Sequence, residues 1–273
     1  MNQNQKHAKY GILLVMATAM AVLAPVRASD SEGLELMNEA HQVYYYAGEG
    51  GQARVTMEIV DSRGRTRERE FWMLRSDLAD MGDQRYYTYF LKPADVRRTT
   101  FLVHKHAEGN DDRWLYIPAL DLVKRIAAND RGSSFMGSHF SYEDVSGRLP
   151  LMDTHQILGQ ESVDGRAATK VKSTPKEAGT ADYAYRLTWV CNESHLPLRE
   201  EYYGDDGEVQ RRFEILEVAD VEGIPTAVKR SMEDVDGGGH TLLHFSELSY
   251  EPPLEAQAYN ERLLKNPPRE YTR

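Results

Sequence analysis

The sequence predicts a mainly antiparallel β protein: a long sheet curled towards a barrel, with one helix before it and one after. Three observations carry this. Ten or more short runs between Arg54 and Tyr250 alternate apolar and polar residues or are rich in β-branched and aromatic ones. The breaks between them are turn chemistry: Asp164-Gly165, Asp205-Asp206-Gly207, Glu222-Gly223 and Asp236 to Gly239. Helical spacing occurs near the two ends of residues 29–273. A sheet of this many strands tends to curl rather than stay flat.

The elements follow in order. Asp30 or Ser31 can cap a helix over about Glu32–Tyr44, with Leu34, Met37 and His41 at helical spacing; Gly48, Gly50 and Gly51 end it. The period then changes to two: Val55, Met57 and Ile59 share one face, Thr56 and Glu58 the other. The turn Asp61 to Gly64 leads into a charged run that reaches Phe71 and Trp72. Strand candidates follow at Tyr86–Leu91, Thr99–His106, Arg113–Pro118 and Leu122–Ala127. After Arg131–Val145 they resume at 155–163, 166–173, 183–191, 198–203, 209–218, 225–234 and 241–250. A short helix is expected over Leu254–Leu264, then a Pro-stopped tail. No linker separates two domains, so residues 29–273 are expected to form a single β-barrel domain.

The first 28 residues are read separately. Lys6, His7 and Lys9 precede an uncharged run, Gly11 to Ala24, and Val26 and Ala28 suit a cleavage point after Ala28. Fourteen apolar residues are short for roughly 30 Å of hydrocarbon, so this reads as a cleaved signal peptide rather than a membrane span or a buried helix. Its removal takes Lys6, Lys9 and Arg27 and no acidic residue, leaving 30 basic against 43 acidic residues, a charge of −13. An acidic chain is a poor match for nucleic-acid phosphates or anionic membranes, so no nucleic-acid partner and only transient membrane contact are expected. Cys191, the one cysteine, rules out an intramolecular disulfide and a thiolate zinc cluster, and its strand context suggests a packed small residue.

Candidate chemistry is thin. His104 and His106 would share a strand face near Asp111 and Asp112, a metal pair or a solvated hairpin edge. His139 and Glu143 are four apart, which suits a base with its orienting carboxylate, or an ordinary helical polar pair. Ser133-Ser134 lacks the spacing of a nucleophile elbow, and no phosphate loop or dinucleotide fingerprint occurs. No catalytic set, metal or cofactor is expected. Trp72, Tyr87, Tyr89, Trp114, Tyr116 and Trp189 recur along the strands instead. They either fill a core or line a barrel left partly empty for an apolar ligand.

Several motifs bear on that choice. Trp114, Tyr116 and Pro118 run into the basic pair Lys124 and Arg125; Ser134 to Gly137 and Phe140 to Asp144 follow. A Pro-containing turn lies in Leu91–Leu102 and a Pro-containing hairpin in Leu196–Val209. Together these resemble the bacterial periplasmic outer-membrane lipoprotein-sorting-like proteins, the broad LolA-like group, over roughly Leu34–Leu264. The resemblance implies a half-open curved β-barrel with an α-helical lid over an apolar cavity (LolA/LolB/LppX-like). It implies a periplasmic, non-catalytic carrier of lipid acyl chains or of a lipidated protein. An alternative is a partner of an inner-membrane transporter of the resistance-nodulation-division (RND) type. On this reading the cavity and lid residues are Met57, Ile59, Trp72, Leu74, Trp114, Tyr116, Phe135, Met136, Phe140 and Tyr142. Phe135 and Met136 would face the cavity, Gly132 and Gly137 would hinge, and Phe140 with Tyr142 would anchor the segment on the rim.

Overall fold

The computed structural model describes residues 30–78 and 82–273; the expected signal peptide lies outside them. Thirteen strands form one antiparallel sheet. The first six are β1 (Gly50–Asp61), β2 (Thr66–Asp77), β3 (Gln84–Lys92), β4 (Thr100–Lys105), β5 (Asp112–Ile117) and β6 (Leu122–Ile126). The other seven are β7 (Asp153–Val163), β8 (Arg166–Pro175), β9 (Tyr185–Cys191), β10 (Pro197–Tyr203), β11 (Val209–Val221), β12 (Ile224–Asp234) and β13 (Gly239–Ser249). Each half is a run of consecutive hairpins, and β1 joins the halves by pairing with β13, Val55 opposite Phe245 and Met57 opposite Leu243. The β6 and β7 ends stay apart, so the curved sheet is a half-open barrel.

Local chemistry accounts for the tight turns. After β1 the Asp61 carboxylate accepts from the amides of Arg63 and Arg65, and Gly64 takes the left-handed φ of 75° that closes the turn. Register shifts in β1, β7 and β11 add local twist, which helps so wide a sheet to curl.

Both faces of the first half are covered. The concave face carries Val55, Met57, Ile59, Phe71, Phe101 and Val103 in one cluster. The convex face carries Trp72, Leu74, Tyr87, Tyr89 and Leu102, packed under Tyr259, Leu263, Leu264 and Tyr271. The expected C-terminal helix is shorter than Leu254–Leu264: a 3-10 turn at Ala256–Ala258 precedes α3 (Glu261–Lys265), because the Asn260 side chain caps α3 by accepting from the Arg262 amide at 3.0 Å. The end of the chain is pinned where the Tyr87 hydroxyl donates to Leu263 O (3.1 Å) and Thr100 Oγ1 to Leu264 O (2.8 Å).

Inside the curve lie α1 (Asp30–Tyr45) and α2 (Tyr142–Ser146). The first overruns its expected span by two residues at the start and one at the end. It buries Met37 and Ala40 against Val171 of β8 and Val190 of β9. Gly33 permits the close approach to β7: a Cβ there would stand 2.7 Å from His155 O. The short α2 is held by a capping box, with Ser141 Oγ accepting from the Asp144 amide (3.1 Å) and Asp144 Oδ2 from the Ser141 amide (2.7 Å). Together they are the helical lid of the half-barrel.

Candidate functional site

The site is a cavity on the concave face, under α1 and the segment that leads into α2. Its volume is about 130 Å³, similar to an apolar cavity that takes one benzene ring. Its apolar wall is built by Met57, Phe71, Met73, Phe135, Leu243 and Phe245, and Gly50, Gly51, Thr226 and Tyr250 also line it. A smaller polar chamber of about 50 Å³ adjoins it beneath α1, and the two share Tyr44, Tyr45, Phe140 and Asp144.

The ten expected residues divide by sheet face. Met57, Phe135 and Phe140 line the cavity. Ile59 and Tyr142 are buried in the concave cluster beside it, and Met136 packs against that cluster at φ 53° without reaching the cavity wall. Trp72, Leu74, Trp114 and Tyr116 lie on the convex face with the C-terminal segment and do not line the cavity. Side chains alternate along a strand, so where Phe71 points inward Trp72 must point outward. Sequence reasoning missed Phe71, Met73, Leu243 and Phe245. The available signal was parity: Met57 was correctly set with Val55 and Ile59, and each pairing carries that face to the next strand. Phe71, Trp72, Met73 and Leu74 are all apolar, so composition could not select the face.

The segment Arg131–Val145 is a built plug rather than a loop swinging on two glycines. Phe135 N donates to Phe140 O (2.7 Å), Tyr142 N to Ser133 O (3.1 Å) and Glu143 N to Arg131 O (2.9 Å). Ser134 Oγ donates to Ser138 O at 2.5 Å, and Ser134 and Ser141 form a β-bridge. Only Gly137 of the two expected hinges has a left-handed φ, 74°. Phe135 meets Phe71, Phe90, Phe101 and Tyr142 with ring centres 5.4–6.3 Å apart. Phe140 faces Phe213 across the second half of the sheet. The large apolar residues thus fill the curve and leave the cavity beside them.

The wall towards the second half is ionic. Asp144 pairs with Arg211 (3.0 Å), Glu200 with Arg186 (3.2 Å), and Arg148 with Asp153 (2.9 Å). Burial raises the Glu143 carboxyl, against the pull of Arg148 (3.7 Å) and Arg131 (3.6 Å). Burial holds His41 well below the usual histidine range, helped by Lys105 and Arg186, so it sits neutral in the small chamber. The Arg75 guanidinium is closed off by the carbonyls of Tyr45, Ala47 and Gly50 and by Asp77.

The expected polar pairs are rearranged. His139 precedes α2, so it is not one helical turn from Glu143; its Nδ1 lies 2.8 Å from Thr241 Oγ1. His104 Nε2 lies 2.7 Å from Tyr259 O, and His106 sits between Asp83 (3.1 Å) and Asp112 (3.2 Å). Among the described residues, no group of three or more His, Cys, Asp or Glu could hold a metal ion. No described helix is long and apolar enough to cross a membrane.

A family model described as "Uncharacterized protein" matches residues 82–266. Three solved structures share the architecture. A DUF1329 family protein of Desulfovibrio piger is 26% identical, with a TM-score of 0.79, over 86% of this chain and 98% of its own. A domain of Vibrio parahaemolyticus, provisionally named an outer membrane lipoprotein-sorting protein domain, is 27% identical with a TM-score of 0.79, over 87% and 100%. A LolA superfamily protein of Nitrosomonas europaea, at 17% identity and a TM-score of 0.66 over 84% and 98%, shares the fold. No curated protein matches the chain.

Proposed function

Since this chain belongs to the family whose model spans residues 82–266 and has a LolA-like fold, we propose that it is a non-catalytic periplasmic carrier that holds acyl chains, of a lipid or a lipidated protein, in the concave cavity. The observation that carries this reading is the aromatic and aliphatic space left open beside Phe135 on the concave face.

The energetics suit transfer. Each methylene removed from water contributes about 0.8 kcal/mol before the cost of ordering the chain. A membrane offers the same gain, so a partly filled cavity of this size can accept a chain and also release it. Met57 and Met73, flexible and polarizable, suit a wall that must fit more than one chain length.

The test is native mass spectrometry of the protein purified from its periplasm, beside the cavity-filling variant Leu243→Trp. Co-purifying lipid is expected on the parent and absent from the variant. A parent that carries no lipid and displaces no apolar dye would sink the reading. Crosslinking in intact cells that captured an RND-type transporter but never lipid would favour the transporter-partner role.

A further inference from the structure

Three charged side chains line the cavity: Arg75, Arg230 and Asp144. Two are already answered, Arg75 by Asp77 and three carbonyls, Asp144 by Arg211. Arg230 is not. Among the described residues no carboxylate lies within ion-pair distance of its guanidinium, and its Nε donates to Ala227 O at 3.0 Å. The guanidinium stands over two rings instead, 4.6 Å from the centre of Tyr44 and 4.1 Å from that of Phe245. A guanidinium carries five N–H donors, so the bond to Ala227 O and one to the Tyr44 side chain leave donors for a ligand while the rings hold the group in place. The wall therefore presents one positioned cation beside an apolar space of about 130 Å³.

We propose that Arg230 receives the anionic head, a carboxylate or a phosphate monoester, of a single-chain amphiphile whose tail lies against Met57 and Phe135. This deepens the carrier reading above and rests on it. A carboxylate or phosphate can take two parallel N–H bonds from a guanidinium, which a hydroxyl or an ester cannot match. The volume favours one chain over the two of a membrane phospholipid. A single anion also balances the one cation that the lining leaves unanswered.

The experiment is displacement of a neutral apolar dye, N-phenyl-1-naphthylamine, from the full protein at pH 7.5 by dodecanoate, dodecyl phosphate and dodecanol, all below their micelle concentrations. The parent is expected to bind at least one of the two anions roughly tenfold to a hundredfold more tightly than the alcohol, the range for a hydrogen bond to a charged group. In Arg230→Met that ratio collapses towards one; in Arg230→Lys, which keeps the charge without the fork, it falls part-way. The tighter of the two anions identifies the head, fatty-acid carboxylate or phosphate. Equal binding of acid and alcohol by the parent, or a ratio that survives Arg230→Met, overturns the role of Arg230 while leaving the carrier reading intact. Dye that never binds, with no displacement by any of the three, overturns both. Should Arg230→Met fail to fold, the parent's ratio and the Arg230→Lys variant still decide.

Discussion

Lys105 shows at the scale of one residue how the interior shapes this protein's chemistry. It is 1% exposed, its Nζ donates to Gly147 O at 2.7 Å, and burial pushes its ammonium down to about 8 despite Asp111 nearby. The folded state then releases a proton that the unfolded chain keeps until about pH 10.4, so stability rises with pH between those values. The gain is of order 3 kcal/mol if complete, and tyrosine ionisation in the unfolded chain opposes it above about pH 10. Denaturant unfolding should show stability climbing from pH 8 to 9.5 in the parent and a flat profile in Lys105→Met; parallel profiles would refute the assignment. Phe135 is the second such residue. Its ring touches four others, so Phe135→Ala should cost roughly 3–5 kcal/mol and enlarge the cavity, measurable as a lower denaturation midpoint. A loss under about 1 kcal/mol would mean the plug is not tightly packed.

Elements divide the labour between the two faces. α3 and the turns around it cover the convex side of β2 to β5, where Trp72, Leu74, Trp114 and Tyr116 lie. Leu264→Ala should therefore destabilise by roughly 2–5 kcal/mol yet leave acyl-chain affinity in place. A matching loss of ligand would mean that the convex face also binds. α1 works on the other side, and Gly33 is the position that lets it lie against β7. Gly33→Leu should cost roughly 1–3 kcal/mol through overpacking, read from the thermal midpoint. A neutral result would show that α1 can shift on the sheet without penalty.

For the whole molecule the main consequence is acid sensitivity. Burial lowers His41, His104, His139 and His155, so the unfolded chain binds protons near pH 6.5 that the folded protein refuses. Stability supplied by these groups is lost as pH falls below 6.5. His106 acts in the opposite sense: burial pushes it down, but bonds to Asp112 and Asp83 win and raise it, so its contribution is present at low pH and fades as pH rises through its folded value. Four histidines against His106 and Glu143, whose raised carboxyl also favours the folded state as pH falls, predict a melting temperature that drops between pH 7 and 5; a flat or rising profile would contradict the buried neutral histidines.

Much of this was legible in the sequence because it is local. Every strand run read from alternation and turn residues overlaps an observed strand, and the inward set Val55, Met57 and Ile59 follows from period two against polar neighbours. The aromatic and Met content of Arg131–Val145 pointed to a hinged lid over the cavity; the structure makes it a packed plug, with Phe135 but not Met136 on the cavity wall. The choice of face on β2 to β5 was not legible, because Phe71 and Trp72 are equally apolar and both faces are covered, one by α2 and its plug, the other by α3. Nor was the cation: Arg230 reads as one of several exposed-looking basic residues on alternating strands until Tyr44, 186 positions earlier, stacks on it. The sequence by itself determined which segments are strands, how they turn and which residues of β1 share a face, since these depend on residues a few places apart. The tertiary structure alone decided where the open space lies and which charge enters it, since both depend on pairing β1 with β13, the two ends of the sheet's chain path.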